Sequence, residues 1–436
     1  MQYSYTHQKV KEEHKLYRFL VSCLFIALMI SGCSRSQQMD LIDNETTGTL
    51  RILYPDESTF YRDFGKLFSY YYPNINIEII EVTNYNLLLY DNKQLESTIE
   101  QRNPDIVMLN NYSYRYLSNI NLLVNLGPKI KAEPNQNADD YIDKVIDLLM
   151  QEGGGSINGL APFFQSRVLF YNKDLFDEFR VPYPTDYQTW DDIFMHAHRF
   201  IQSTSENEYY GFYHPFRYDR FNPFRLVDLI GEAENIALYD AADRQYRLEE
   251  RHEQLFNYII NGLDSGAIFS PNETNQTDQF LAGNAAMRYE GYYYLEELNE
   301  VTFRWDIVSE PLGSNPSINY TMNNIFSIVT NSANQDLAWE FIDFITSDTF
   351  LKIKSTSYNT YGFPSKSSVF SKMFEPGINY EAFYRAKPAI NYMYDIYNFN
   401  TSTIDVNAIT QKISLDVLNG TITIDEAIDL IKQHIE

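Results

Sequence analysis

Cysteine is nearly absent from this chain of 436 residues, which holds only Cys23 and Cys33. A disulfide scaffold and a multi-cysteine metal site are thereby excluded. Basic residues are scarce as well: 34 Lys and Arg stand against 59 Asp and Glu, for a formal charge of −25. Nucleic-acid binders draw their affinity from cations that neutralise phosphates, so that class is set aside. Catalytic signatures are missing too. There is no Gly-x-Ser-x-Gly and no His-Glu-x-x-His, since His252-Glu253 lacks the second His. His196 and His198 are two apart on a predicted helix, do not share a face, and read as surface residues. The run Gly153-Gly154-Gly155-Ser156-Ile157-Asn158-Gly159 is not followed by Gly-Lys-Ser/Thr, so it reads as a turn and not as a phosphate loop. No cofactor and no metal are expected, and the chain is not expected to be an enzyme. What is present is core material: 44 % hydrophobic against 21 % charged residues, over a length that suits two or three domains or one two-lobed body.

The first 33 residues read as an address. Lys9, Lys11, Lys15 and Arg18 precede an uncharged run from Phe19 to Ile30, too short to span a bilayer comfortably. The run ends in Ile30-Ser31-Gly32-Cys33. This resembles the bacterial lipobox, which implies cleavage before Cys33 and lipidation of its thiol. Long acyl chains hold stably, at about 0.8 kcal/mol per buried CH₂. Cleavage after residue 32 removes four basic and two acidic residues and shifts the formal charge from −25 to −27. Residues 33–47 are then the lipidated Cys and a polar, aperiodic tether.

The body alternates strand and helix signals. Gly48 to Tyr54 reads as a strand running into Pro55-Asp56-Glu57. Phe60, Phe64, Leu67, Phe68 and Tyr71 then recur at helical spacing until Pro73. Ile75, Ile77 and Ile79 alternate with Asn76 and Glu78, as in a strand. Pro104-Asp105 opens the apolar run Ile106 to Leu109, which empties into Asn110-Asn111-Tyr112. Val168 to Asn172 reads as a further strand. Thr189 with Asp192, and Thr423 with Glu426, have the spacing of helix capping boxes. The order predicts an α/β fold with largely parallel sheets flanked by helices. Ligands of such sheets sit beyond the carboxyl ends of the strands, where Asp56, Glu57 and the Asn110 loop would share one crevice.

Several segments resemble, in order, the extracellular solute-binding proteins of bacterial ABC importers, in the group that includes maltose- and oligosaccharide-binding proteins. Leu160-Ala161-Pro162 and then Leu169 to Phe176 look like the first hinge and the strand–helix after it. Thr189-Trp190-Asp191-Asp192 looks like the family's helix start. Phe280 to Met287 with Glu290-Gly291-Tyr292-Tyr293 looks like its F-x-x-G-x-A-A-M … G-x-W stretch. Trp305 to Pro311 looks like the second crossover, Asp336 to Ile342 like its AWEF helix, and Gly362-Phe363-Pro364 like the turn after it. The resemblance implies a two-lobed periplasmic-binding-protein-like fold of type II with the ligand cleft between the lobes. One lobe is expected from 48–162 plus 312–368, the other from 163–311 plus 369–436. Ligand contacts both walls and shifts the population to the closed form, which docks on the permease subunits.

The same resemblance suggests which residues touch a carbohydrate, whose flat faces suit aromatic rings and whose hydroxyls suit polar side chains. Trp190, Trp305 and Trp339 occupy positions that look structural, so stacking passes to Tyr or Phe. Tyr293 stands where many relatives carry a stacking Trp, flanked by Tyr292 and Glu290. The other expected contacts are Asp56, Glu57, Asn110, Asn111, Tyr112, Gln165, Asn222, Phe224, Arg225 and Asn323. Leu109 and Tyr112 depart from the Trp and Asp of the maltose-binding pattern. The expectation is a monomer, anchored through Cys33 on the outer side of the cell membrane, that passes a sugar or oligosaccharide to an ABC permease. A co-receptor for a histidine kinase, or a polyamine or peptide as the solute, remain the alternatives.

Overall fold

The computed structural model describes residues 46–89, 91–133, 138–203, 208–215, 222–234, 236, 238–240, 245–271, 276–313, 317–318, 320–355, 362–374, 376–388 and 406–435. The expected signal segment and Cys33 lie outside them. In chain order, the strands of the two main sheets are β1 (Gly48–Tyr54), β2 (Ile75–Glu81), β3 (Ile106–Leu109), β4 (Arg167–Asn172), β5 (Glu208–Tyr213), β6 (Ile268–Phe269), β7 (Ala285–Gly291), β8 (Trp305–Ser309) and β9 (Ile325–Ile328).

The first sheet has the order β9-β3-β1-β2, with β1 parallel to β2 and β3, and β9 antiparallel to β3. Its outer strand β2 shows the alternation read from sequence: Ile75 and Ile77 are buried, Asn76 and Glu78 exposed. Central β3 is buried at every residue, as a strand covered on both faces must be. Asp105, just ahead of it, accepts hydrogen bonds from the Arg51 backbone N–H (2.9 Å) and from Ser332 Oγ (2.6 Å). One carboxylate thus ties the start of β3 to its neighbour strand and to the loop after β9. The expected helix over 57–71 forms in three pieces, Glu57–Phe60, a π-helical turn Tyr61–Gly65, and Lys66–Tyr71. Phe60, Phe64, Phe68 and Tyr71 are its buried stripe.

The second sheet has the order β6-β5-β7-β4-β8. Strands β6, β5 and β7 are parallel, while β4 and β8 run antiparallel to their neighbours. Period-two alternation on β4 sends Val168 and Phe170 to one core and Leu169 and Tyr171 to another. The second of these cores is closed by the helices Trp190–Ala197, Phe224–Ala233 and Glu250–Ser265, and by the C-terminal pair Val406–Leu418 and Ile424–Ile435. Both expected capping boxes are present. Asp192 N–H donates to Thr189 Oγ1 (3.2 Å) and Thr189 N–H to Asp192 Oδ2 (2.9 Å). Thr423 and Glu426 repeat the pattern. His196, expected at the surface, is half-buried, with Nε2 3.3 Å from Gln188 Nε2. The turn before its helix folds back over that face.

Segments 160–166, 310–324 and 362–388 link the two halves. They are bonded to one another: Gln165 and Thr321 exchange backbone hydrogen bonds of 2.8 Å, and Phe163–Phe164 pairs with Phe363–Pro364. Ser317–Ile318 pairs with Lys387–Pro388. Residues 369–386, expected with the second lobe, pack into the first core. The Phe363 ring lies 5.1 Å from Phe370, 5.7 Å from Phe374 and 4.6 Å from Phe383. The link is therefore an aromatic cluster and not three bare strands. Among the described residues no helix is long and apolar enough to cross a membrane.

Candidate ligand-binding site

Two sheet edges meet the linking segments. At the first edge, β3 ends at Leu109 and the next residues reach the second link. Asn111 Nδ2 donates to the Tyr320 carbonyl (3.0 Å), and the Met322 N–H donates to Asn111 Oδ1 (3.0 Å). At the second edge, β7 ends at Gly291 and the ring of Tyr292 lies 5.5 Å from Phe363 in the third link. The carboxyl ends of parallel strands from both sheets thus face the same set of crossings, the place where α/β sheets bind their ligands.

The first edge collects Asp56, Glu57, Asn110, Asn111, Tyr112 and Asn323, because β1, β3 and β9 are neighbours. Their side chains are not equally available. Asp56 caps the following helix, accepting from the Thr59 N–H (2.8 Å), and that bond holds its carboxyl below the ordinary aspartate value. Glu57 is exposed, and its backbone N–H is held by Glu81 (2.8 Å). The amide of Asn111 is spent on the second link. Tyr112 accepts from Asn92 Nδ2 (3.0 Å). Asn323 is exposed, whereas its neighbour Asn324 is buried. Gln165 lies half-buried in the first link and pairs through its backbone with Thr321.

The second edge collects Glu290, Tyr292 and Tyr293. Glu290 is buried: Oε1 accepts from the Gly291 N–H (3.0 Å) and from the Tyr293 hydroxyl, and Oε2 from Arg288 Nη2 (3.0 Å). It acts as a mount for the Tyr293 ring, which is 41 % exposed and hence offers a face. Arg288 is 1 % exposed and forms ion pairs with both Asp278 and Glu290. Its guanidinium carbon stands 3.7 Å from the centroid of Tyr294. His214 follows β5 on the same side. Burial pushes its pKa down to about 3, with Glu290 pulling upward and Arg288, Arg167 and Arg225 pushing downward.

Asn222, Phe224 and Arg225 turn towards the C-terminal helices. Asn222 Nδ2 donates to the Asn407 carbonyl (3.2 Å) and to Thr410 Oγ1 (3.1 Å), and its Oδ1 accepts from the Phe224 N–H (3.1 Å). Phe224 is buried 5.6 Å from Phe256. Arg225 Nη1 donates to Asn407 Oδ1 (3.3 Å) and pairs with Asp228. The signal for this is the pair Asn222-Pro223, a cap followed by a first-turn proline. Sequence reasoning misses Arg288 and Asn324. For Arg288 the signal is a charged residue inside the apolar strand Ala285 to Tyr289, which requires a buried partner.

Among the described residues no three His, Cys, Asp or Glu side chains are grouped to hold a metal. Sheet orders, crossings and facing edges define a two-lobed periplasmic-binding-type fold with a ligand cleft between lobes. The family described as bacterial extracellular solute-binding protein matches residues 74–379, and the chain belongs to it. Nothing among curated proteins matches the chain. Solved structures share the fold. An extracellular solute-binding protein family 1 from Alicyclobacillus acidocaldarius is 16 % identical at a TM-score of 0.64, covering 90 % of this chain and 98 % of that one. An ABC substrate-binding protein from Listeria monocytogenes in complex with cycloalternan is 19 % identical at 0.54, covering 89 % and 97 %. The sugar-binding protein MalE from Xanthomonas citri is 15 % identical at 0.56, covering 89 % and 96 %.

Proposed function

We propose that this protein captures a carbohydrate, a sugar or oligosaccharide, between the two edges and delivers it unchanged to the permease of an ABC importer. The observation that carries the reading is Tyr293. Its half-exposed ring is held by Glu290 at the end of β7, beside the links, and the opposite edge is rich in carboxamides. A ring offers a surface for sugar C–H faces and amides offer both hydrogen-bond polarities for hydroxyls. Solved relatives with cycloalternan and with D-mannitol bound support the same class. The anchor in this reading is lipid on Cys33, and the working form is a monomer. The Asp and Glu side chains at the edges are largely committed to caps and ion pairs, which disfavours a polyamine.

A thermal-shift screen of the full chain tests this, with mono- and oligosaccharides, polyamines and peptides as additives. A ligand at one hundred times its Kd adds about 2.7 kcal/mol of stability. A shift with a carbohydrate alone is the expected result. A clear shift with an amine or a peptide, and none with any carbohydrate, overturns the reading.

A further inference from the structure

We propose that Asn110 and Asn324 form a two-amide seat that receives one hydroxyl group of the solute. The proposal rests on the carbohydrate reading and adds to it a specific polar contact. The antiparallel register of β3 and β9 ends with Leu109 opposite Ile325. Asn110 and Asn324 are the next residues on either strand, so they stand opposite each other just beyond the ladder. Residues opposite each other on antiparallel strands share a face. Both lie at the edge that meets the links, and both are buried, at 3 % and 4 % exposure.

The polarity of the seat follows from the bonds already made. Asn110 Oδ1 accepts from the Ser113 N–H (2.8 Å) and from Ser113 Oγ (2.8 Å), capping the helix Asn111–Asn119. This fixes which way the amide points and leaves Nδ2 over. Asn110 Nδ2 and Asn324 Oδ1 are both shielded from solvent and have no hydrogen-bond partner among the described residues. One edge therefore holds an unmatched donor and an unmatched acceptor. Asn222 shows the ordinary outcome for a buried amide, with both of its ends satisfied by protein groups. Buried polar groups are nearly always paired, and those that are not call for a partner from outside the chain.

A hydroxyl accepts from Nδ2 and donates to Oδ1 at once. A carboxylate has no proton for Oδ1, and an ammonium has no lone pair for Nδ2. The seat thus selects a neutral hydroxyl over either ion. It is rigid, because Asn111 next door clasps Tyr320 and Met322 on the chain leading to Asn324.

The test uses the full chain in a detergent without a sugar headgroup, titrated with maltose, maltotriose and D-mannitol, together with a crystal structure of the solute-free protein. Asn110→Asp keeps the helix cap and removes the donor; Asn324→Leu removes the acceptor. Each should weaken the sugar that binds by at least tenfold, and Asn324→Leu should melt no lower than the parent without sugar. Equal affinity in parent and both variants overturns the seat and leaves the carbohydrate reading intact. If no sugar binds the parent, the carbohydrate reading fails and the crystal structure decides the seat. A water bonded to both Nδ2 and Oδ1 supports it, and amides bonded to each other or to protein groups overturn it.

Discussion

The carboxamide of Asn111 grips the second linking segment at two points, donating to the Tyr320 carbonyl and accepting from the Met322 N–H, each at 3.0 Å. The loop that ends β3 is therefore bonded to the chain that joins the lobes. Tyr320 is itself 4 % exposed and passes its hydroxyl to the Ala386 carbonyl (2.7 Å) in the third link. A residue expected to touch ligand instead couples the ligand-facing loop to the hinge. Replacing it by leucine leaves two backbone groups without partners, at a cost of about 1–3 kcal/mol. Urea denaturation of Asn111→Leu should show that loss as a lower midpoint with an unchanged slope. A midpoint equal to the parent's would show that the clasp carries no stability.

Arg288 is the most deeply buried cation of the second lobe, with Asp278 and Glu290 as its counter-charges and Tyr294 beneath it. Removing one partner of a buried ion pair costs more than the pair contributes, because the orphaned charge stays in a low-dielectric site. Arg288→Leu should cost about 3–5 kcal/mol. A double change, Arg288→Leu with Glu290→Gln, should recover part of it by relieving one orphaned carboxylate. No recovery in the double variant would mean that the guanidinium acts through packing on Tyr294 and not through charge.

Stability should fall with pH in two stages. His214, His252 and His196 have pKa values lowered by burial, His214 to about 3. In the unfolded chain a histidine protonates near its ordinary value of 6.5. Between 6.5 and about 3 the unfolded state thus holds the extra proton, and stability declines as pH falls through that window. The second stage comes from carboxylates with lowered pKa, chiefly Asp192 and Glu426 in their capping boxes. Their contribution is complete above the unfolded carboxylate range and is lost as pH falls through their folded values. His214→Gln should flatten the upper stage in melting curves taken from pH 7 to pH 4. An unchanged slope there would exclude His214 as a source.

The parts of the fold written in local pattern are legible in the amino-acid sequence alone. The β2 alternation, the two capping boxes and the glycine turn at 153–159 each depend on neighbours a few residues away. Pairing over distance is what a local pattern does not carry. Asn222 reads as a loop residue until Asn407 and Thr410 are beside it, and Phe224 as an exposed ring until Phe256 covers it. The strand β9 is four residues long and carries no alternation to announce it. Its register decides that Asn324 is buried and Asn323 exposed, and a shift of one residue on a strand exchanges the two faces.

Tyr293 offers the most direct test of the site. Its ring is 41 % exposed, so little of its area supports the core, and its hydroxyl is fixed by Glu290. Gly291 is matched to it: a Cβ there would stand 2.7 Å from the Tyr293 ring, so glycine is what lets the ring lie back on the strand end. The ring is held in place before any ligand arrives, which spares the ordering cost that a free side chain would meet on binding. An aromatic contact of this kind contributes about 0.5–1.5 kcal/mol beyond burial, so Tyr293→Ala should weaken sugar binding by up to about tenfold. Its melting temperature without sugar should stay near the parent's. Tyr293→Phe keeps the face but loses the tether to Glu290 and should fall between the two in affinity. Titration calorimetry with the sugar that stabilises the parent separates these outcomes. If the alanine variant binds as the parent does, the ring serves packing against Tyr292, whose centroid is 5.8 Å away, and the face for the solute lies elsewhere.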